Sequence, residues 1–186
     1  MTRLILIRHG ETAWNAEGRW QGQSDVSLNE RGRAQAAELA RSLAGMRISA
    51  VYSSDLSRAR ETADALTGVS GAKAQLDERL REIHQGEWQG KLATDIQNRY
   101  ADEFRARTTD PLSVVPPGGE TAAQVMERVL SAVHAIALKH PGETVAVISH
   151  GYVIALLLAH FRDLPIGQVW DLIPENGTWR EVRIGT

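Results

Sequence analysis

The stretch "LILIRHGETAWN", residues 4–15, decides the fold. Four consecutive branched apolar residues, Leu4 to Ile7, stop abruptly at Arg8, His9 and Gly10. An uninterrupted apolar run bounded by glycine reads as a strand covered on both faces, because a strand with one wet face would alternate. Strands of that kind belong to α/β sheets, whose chemistry lies just beyond their carboxyl ends, which is where Arg8 and His9 stand. A second run, "TVAVIS" at 144–149, repeats the pattern and ends on His150 and Gly151, directly before a helical segment. Two buried strands thus deliver "RHG" and "SHG" to the same edge of one sheet.

Between these runs, strand-like and helix-like patterns alternate without repeats or low-complexity tracts. Ser27 and Glu30 make an S-x-x-E capping box before a helix whose inward stripe is Gly32, Ala36, Leu39, Ala40 and Leu43, ending near Gly45. Ala50 to Tyr52 is a short strand. Asp55 is placed to cap a second helix with Ala59, Ala63 and Leu66 facing inward, closed by Gly68 and Gly71. Lys91 to Pro117 is polar and irregular in pattern, with short helices expected, and "PPGG" at 116–119 ends it. Thr121 and Gln124 form another capping box, after which Val125, Val129, Val133 and Ile136 run down one face of a helix until Pro141. The expected fold is α/β, a three-layer sandwich with a largely parallel central sheet flanked by helices, in a single domain spanning residues 1–186.

Composition narrows the function. With 21 Lys+Arg against 23 Asp+Glu the formal charge is -2, so no overall field points to nucleic acid or to a membrane surface. Zero cysteines exclude disulfides, thiolate zinc sites and a cysteine nucleophile, and fit a reducing, cytoplasmic setting. Leu4 to Ile7 is too short for a signal-peptide core, and the apolar run Tyr152 to Ala159 falls short of the roughly 20 residues a membrane span needs.

Any positive patch must then be local, and "SSDLSRARET", residues 53–62, supplies part of one. It puts Arg58 in the first turn of a helix, where the macrodipole disfavours a cation by roughly 0.3–1 kcal/mol. Either Arg58 is a surface residue held by Asp55 or Glu61, or it is aimed at an anion over the sheet edge. Arg8, His9, Arg58 and His150 together make a small cationic pocket suited to phosphate: arginine forks match its oxygens, and free N–H groups at the helix start around Gly151 add donors. Beside cationic groups, the His9 imidazole should lose its proton easily, and a neutral imidazole nitrogen is a competent nucleophile near neutral pH. His84, His134, His140 and His160 complete no metal-binding spacing and are read as structural.

"LIRHGET" with Asn15, "SDLSRARET", "LREIHQGEWQG" and "VISHG", in this order with "WQGQSD" and "PPGGET" between them, resemble the histidine phosphatase superfamily over nearly the whole chain. The resemblance implies phosphoryl transfer through a covalent phosphohistidine without metal or other cofactor. It makes His9 the nucleophile, puts Arg8, Arg58 and His150 on the phosphoryl oxygens and Asn15 beside the phosphate, and sets Glu82 at the family's proton-donor position. From the residues alone, Glu82 reads as a surface carboxylate paired with Arg79 or Arg81. Gln89 departs from the family's frequent G-x-W-E-G, a peripheral change. Trp14, Trp20 and Trp88 either wall the pocket or cover sheet and helix edges.

The leading expectation is a phosphatase acting on a small phosphorylated metabolite, with no nucleic-acid or membrane partner and with a homodimer left open. A cofactor-dependent phosphoglycerate mutase would use the same residues but keep the phosphoryl group from water. The resemblance implies a longer insertion between the donor Glu and the second His in mutases than the segment from Glu82 to His150 provides. A non-catalytic phospholigand-binding module would not need His9, Glu82 and both arginines together.

Overall fold

The computed structural model describes residues 1–70, 73–110 and 115–185. Its sheet contains β1 (Thr2–Arg8), β2 (Ala50–Ser53), β3 (Gln75–Leu76), β4 (Thr144–Ser149) and β5 (Trp179–Ile184), in the order β3-β2-β4-β1-β5. The first four are parallel, and the two runs that decided the fold are neighbours, in register from Arg3 opposite Thr144 to Arg8 opposite Ser149.

Why β1 is apolar at every position is visible in its packing. Leu4 and Leu6 point into a core with α6 (Ala122–Lys139) and α7 (Gly151–Phe161), whereas Ile5 and Ile7 point into a second core with α2 (Glu30–Leu43) and α3 (Ser57–Ser70). Alternate residues thus face opposite layers, and both layers are dry. The three-layer α/β expectation holds. The polar middle forms two short helices, α4 (Ala93–Arg99) and α5 (Ala101–Thr109), and α1 (Ala13–Glu17) is a single turn after the "RHG" loop. Among the described residues, no helix is long and apolar enough to cross a membrane.

Two caps differ from the sequence reading. The N-cap of α2 is Asn29, whose side chain accepts the Gly32 N–H at 2.7 Å, rather than Ser27. Residue 29 is fixed there by the "RHGE" loop: its N–H donates to the Glu11 carbonyl and its amide to the Glu11 carboxylate. At α3, Asp55 turns away to form a two-pronged pair with Arg81, and Asp25 from a distant loop accepts the Ser57 N–H at 2.7 Å. That helix also runs on through Gly68, and Gly71 lies outside the described residues. The Thr121–Gln124 capping box of α6 forms as expected.

β5 has no counterpart among the strands expected from the sequence. It is an antiparallel edge strand beside β1, and its Arg180, Glu181 and Arg183 dilute the apolar signal that marks an inner strand. The helix α2 seats against the opening loop by glycine-to-glycine approach: a Cβ on Gly10 would lie 2.4 Å from the Gly32 carbonyl oxygen, and one on Gly32 would lie 2.0 Å from that of Glu11. The glycine of "RHG" is therefore a packing requirement that fixes the loop carrying His9.

Candidate active site

The β1–β4 ladder continues one bond past β1, with the His9 N–H donating to the Ser149 carbonyl at 3.1 Å. This brings the two histidine rings together at the sheet edge, with centroids 5.1 Å apart. Both are buried. His9 Nδ1 lies 2.7 Å from the Gly10 carbonyl oxygen. A carbonyl can only accept, so Nδ1 carries the proton and Nε2 keeps its lone pair. Burial first, then the charges of Arg58 and Arg8, hold the His9 pKa well below its ordinary value against the opposing bond to Gly10. His150 is held low by burial, then by Arg58 and further positive neighbours. Its Nε2 is 2.9 Å from Ser54 Oγ, a hydroxyl at the end of β2.

Arg58 is 1% exposed, which removes the surface-residue reading. Its two terminal nitrogens donate to the carbonyls of Ser24 and Gly22 at 2.8 and 2.7 Å. Gly22 presents that carbonyl from a left-handed backbone conformation (φ 53°), with Gln85 N only 2.9 Å from where a Cβ would sit. Burial lowers the Arg58 pKa to about 10 while Glu82 and Asp25 oppose the shift, and the group stays cationic at neutral pH. Arg8 is anchored by a 2.7 Å bond to the Pro174 carbonyl.

Glu82 pairs with neither flanking arginine. Arg79 is taken by Asp77 and Arg81 by Asp55, and the Glu82 carboxylate instead accepts the N–H groups of Ile83 (3.0 Å) and Tyr152 (3.2 Å). The second of those bonds uses the first turn of α7, where the helix dipole favours an anion.

Arg8, His9, Asn15, Arg58, Glu82 and Gly151 all line one open cavity of about 300 Å³ at the carboxyl end of the sheet. His150 does not line it and stands behind, against Ser54. Asn15 Oδ1 is engaged by the Thr12 N–H and by Asn176 Nδ2. The tryptophans divide. Trp20 walls the cavity, Trp88 is fully buried with its ring edge-on to Trp20 at 5.7 Å, and Trp14 lies over Gly90. Gln89 is outside the lining: its Oε1 accepts the N–H groups of Gln23 and Gln85, a task that a carboxylate oxygen performs equally.

Four residues beyond those expected from the sequence, Ser54, Gln85, Trp170 and Asn176, line or brace the cavity. Ser54 sits inside the quoted "SSDLSRARET" and could have been singled out at its strand end. Trp170 and Asn176 come from the loop before β5 and carry no local signal.

The two neutral imidazoles have a consequence for stability. Each has a folded pKa well below the roughly 6.5 of an unfolded histidine, so the unfolded chain binds more protons as pH falls below that value. Stability is complete above about pH 6.5 and declines below it, by at most ~1.4 kcal/mol per pH unit for each ring. Denaturant unfolding of the ligand-free protein between pH 7.5 and 5.5 should therefore show a steep loss, and His150→Gln should reduce its slope by about half. An unchanged slope would show that His150 is charged in the folded state.

Fold and site together define a class: an α/β chain that gathers, in one cavity at the carboxyl end of its parallel strands, a buried neutral imidazole, two cationic arginines and a carboxylate held by two backbone N–H groups. The chain belongs to the histidine phosphatase superfamily (branch 1), whose family model matches residues 4–186. It is 31% identical to phosphoserine phosphatase 1 of Hydrogenobacter thermophilus, over 99% of this chain and 87% of that protein. It is 36% identical to a glucosyl-3-phosphoglycerate phosphatase of Mycolicibacterium vanbaalenii, over 95% and 82% respectively. Among solved structures, Bacillus stearothermophilus YhfR superposes with a TM-score of 0.92 at 37% identity, covering 100% of this chain and 92% of that one.

Proposed function

We propose that this chain hydrolyses small phosphomonoesters through a phosphohistidine formed on His9, without a metal ion. The observation that carries the reading is the state of His9: its one proton is committed to the Gly10 carbonyl, and its free Nε2 belongs to a ring lining the same cavity as Arg8, Arg58 and Glu82. Nε2 attacks phosphorus as the bond to the ester oxygen breaks, and Glu82 passes to the departing alkoxide the proton it took from water in the preceding turnover. Water then attacks the phosphohistidine, Glu82 takes a proton from it, the N–P bond breaks, and inorganic phosphate leaves with His9 restored. Arg8 and Arg58, fixed beforehand by backbone carbonyls, stabilise charge on the equatorial oxygens throughout, with His150 assisting from behind and Asn15 and the Gly151 N–H lining the phosphate position. A donor set of two imidazoles hemmed in by two guanidinium groups repels a divalent cation, which supports metal independence.

The test is a phosphate-release screen over phosphorylated amino acids, sugars, glycerates and nucleotides, reported as kcat/KM and repeated after exhaustive chelation and with vanadate. Chelation should leave turnover unchanged and vanadate, a mimic of the transferring phosphoryl group, should suppress it. Activity lost to chelator and restored by a divalent ion would overturn the mechanism. Primer-dependent isomerisation of a phosphoglycerate outpacing phosphate release from every monoester would make the chain a mutase.

A further inference from the structure

Glu82 sits on a short irregular segment, and its main chain is held by a residue outside the cavity. The guanidinium of Arg128, on α6, spends all five of its N–H groups on neighbours. Two go to both oxygens of Glu120 at 2.9 Å each, and three go to the carbonyls of Arg79 (2.8 Å), Arg81 (2.6 Å) and Glu82 itself (3.0 Å). Glu120 completes the clamp. Its carboxylate accepts the His84 N–H at 2.8 Å and its own N–H donates to the His84 carbonyl at 2.9 Å. Gln23 Nε2 adds a 3.1 Å bond to the Glu82 carbonyl. The pair is about four-fifths shielded from solvent, at 19% and 22% side-chain exposure, so these charge-assisted bonds are stronger than surface ones.

We propose that Arg128, braced by Glu120, is a positioning residue that sets the Glu82 carboxyl against the leaving oxygen, an inference resting on the reading of Glu82 as the proton donor. Among the described residues, the Glu82 side chain is hydrogen-bonded by the N–H groups of Ile83 and Tyr152, and the first moves with the segment that Arg128 holds. Displacement of that backbone shifts the carboxyl relative to α7 and to the phosphate cradle built from Arg8 and Arg58. Misplacement by about 1 Å can cost on the order of 100-fold in rate. A lysine at 128 keeps the charge but is a point donor with three N–H groups, so it cannot serve both the carboxylate and three carbonyls.

The test compares Arg128→Lys and Arg128→Met in wild-type and Glu82→Gln backgrounds, with thermal unfolding of each to establish that it is folded at the assay temperature. Both variants should lower kcat for alkyl phosphates by about 10- to 100-fold, with KM and vanadate inhibition close to wild type. In the Glu82→Gln background neither should cause further loss, because the group being positioned is already gone. Wild-type turnover by Arg128→Lys, or a full additional loss in the Glu82→Gln background, would overturn the positioning role. Undiminished alkyl-phosphate turnover by Glu82→Gln alone would bring down the proton-donor reading itself, and the positioning role with it.

Discussion

His9→Ala should lower phosphomonoester turnover by roughly 10⁴-fold or more and abolish acid-labile labelling of the protein after a pulse of phosphorylated substrate. Three features of the structure converge on this size of effect. The ring is one of two buried imidazoles at the sheet edge, but the only one lining the cavity. Its tautomer is set by the Gly10 carbonyl, so Nε2 needs no base to activate it. Burial and the two arginines keep it neutral in the pH range where most imidazoles are partly protonated. Removing it leaves Arg8 and Arg58 able to bind a phosphoryl group with nothing to attack it, so phosphate and vanadate should still bind the variant. Because a buried neutral ring is also gone, the variant's stability should fall less steeply below pH 6.5 than that of the wild type. Label found on a residue other than His9, or substantial steady turnover by the variant, would remove His9 from the nucleophile's place.

What could be read in advance follows from how local each signal is. The sheet's inner strands were legible because β1 and β4 are buried on both faces, which forces apolar residues at successive positions. Arg58 was legible because a cation in a helix's first turn breaks a local rule, and the structure shows what compensates: the carbonyls of Gly22 and Ser24. Glu82 was not legible from its neighbours. Whether it is a free carboxylate depends on where Arg79 and Arg81 go, and they go to Asp77 and Asp55, the latter 26 residues away in sequence. The same tertiary competition explains the mistaken cap, since Asp55 cannot both bind Arg81 and close α3, and Asp25 takes the second task. β5 escaped because an edge strand beside solvent carries charged residues that a buried strand excludes. Local rules thus pointed to Arg58 and to the two strand-end histidines, and only long-range pairing leaves the Glu82 carboxylate without an arginine from its own segment.

On the proposed mechanism, Glu82→Gln should separate the two halves of the reaction. For an alkyl phosphate the departing alkoxide is strongly basic, and loss of its proton donor should slow the first step by roughly 10²- to 10⁴-fold. A 4-nitrophenyl ester leaves as a stabilised phenolate and needs no such proton, so attack by His9 should survive in the variant. Hydrolysis of the phosphohistidine still calls for a base to take a proton from water, and the amide cannot act as one. With the aryl ester, the variant should therefore release about one nitrophenolate per chain in a rapid burst and then turn over slowly, with phosphohistidine accumulating. Wild-type protein should show a smaller burst or none. The substitution also places an amide N–H₂ opposite one of the two N–H groups, of Ile83 or Tyr152, that Glu82 now satisfies, so some displacement of the segment is expected. Displacement alone would slow both substrates in the first step, whereas loss of proton transfer spares the aryl ester there. A variant that shows no burst and loses equal activity on alkyl and aryl phosphates would mean that Glu82 shapes the cavity and the proton comes from elsewhere.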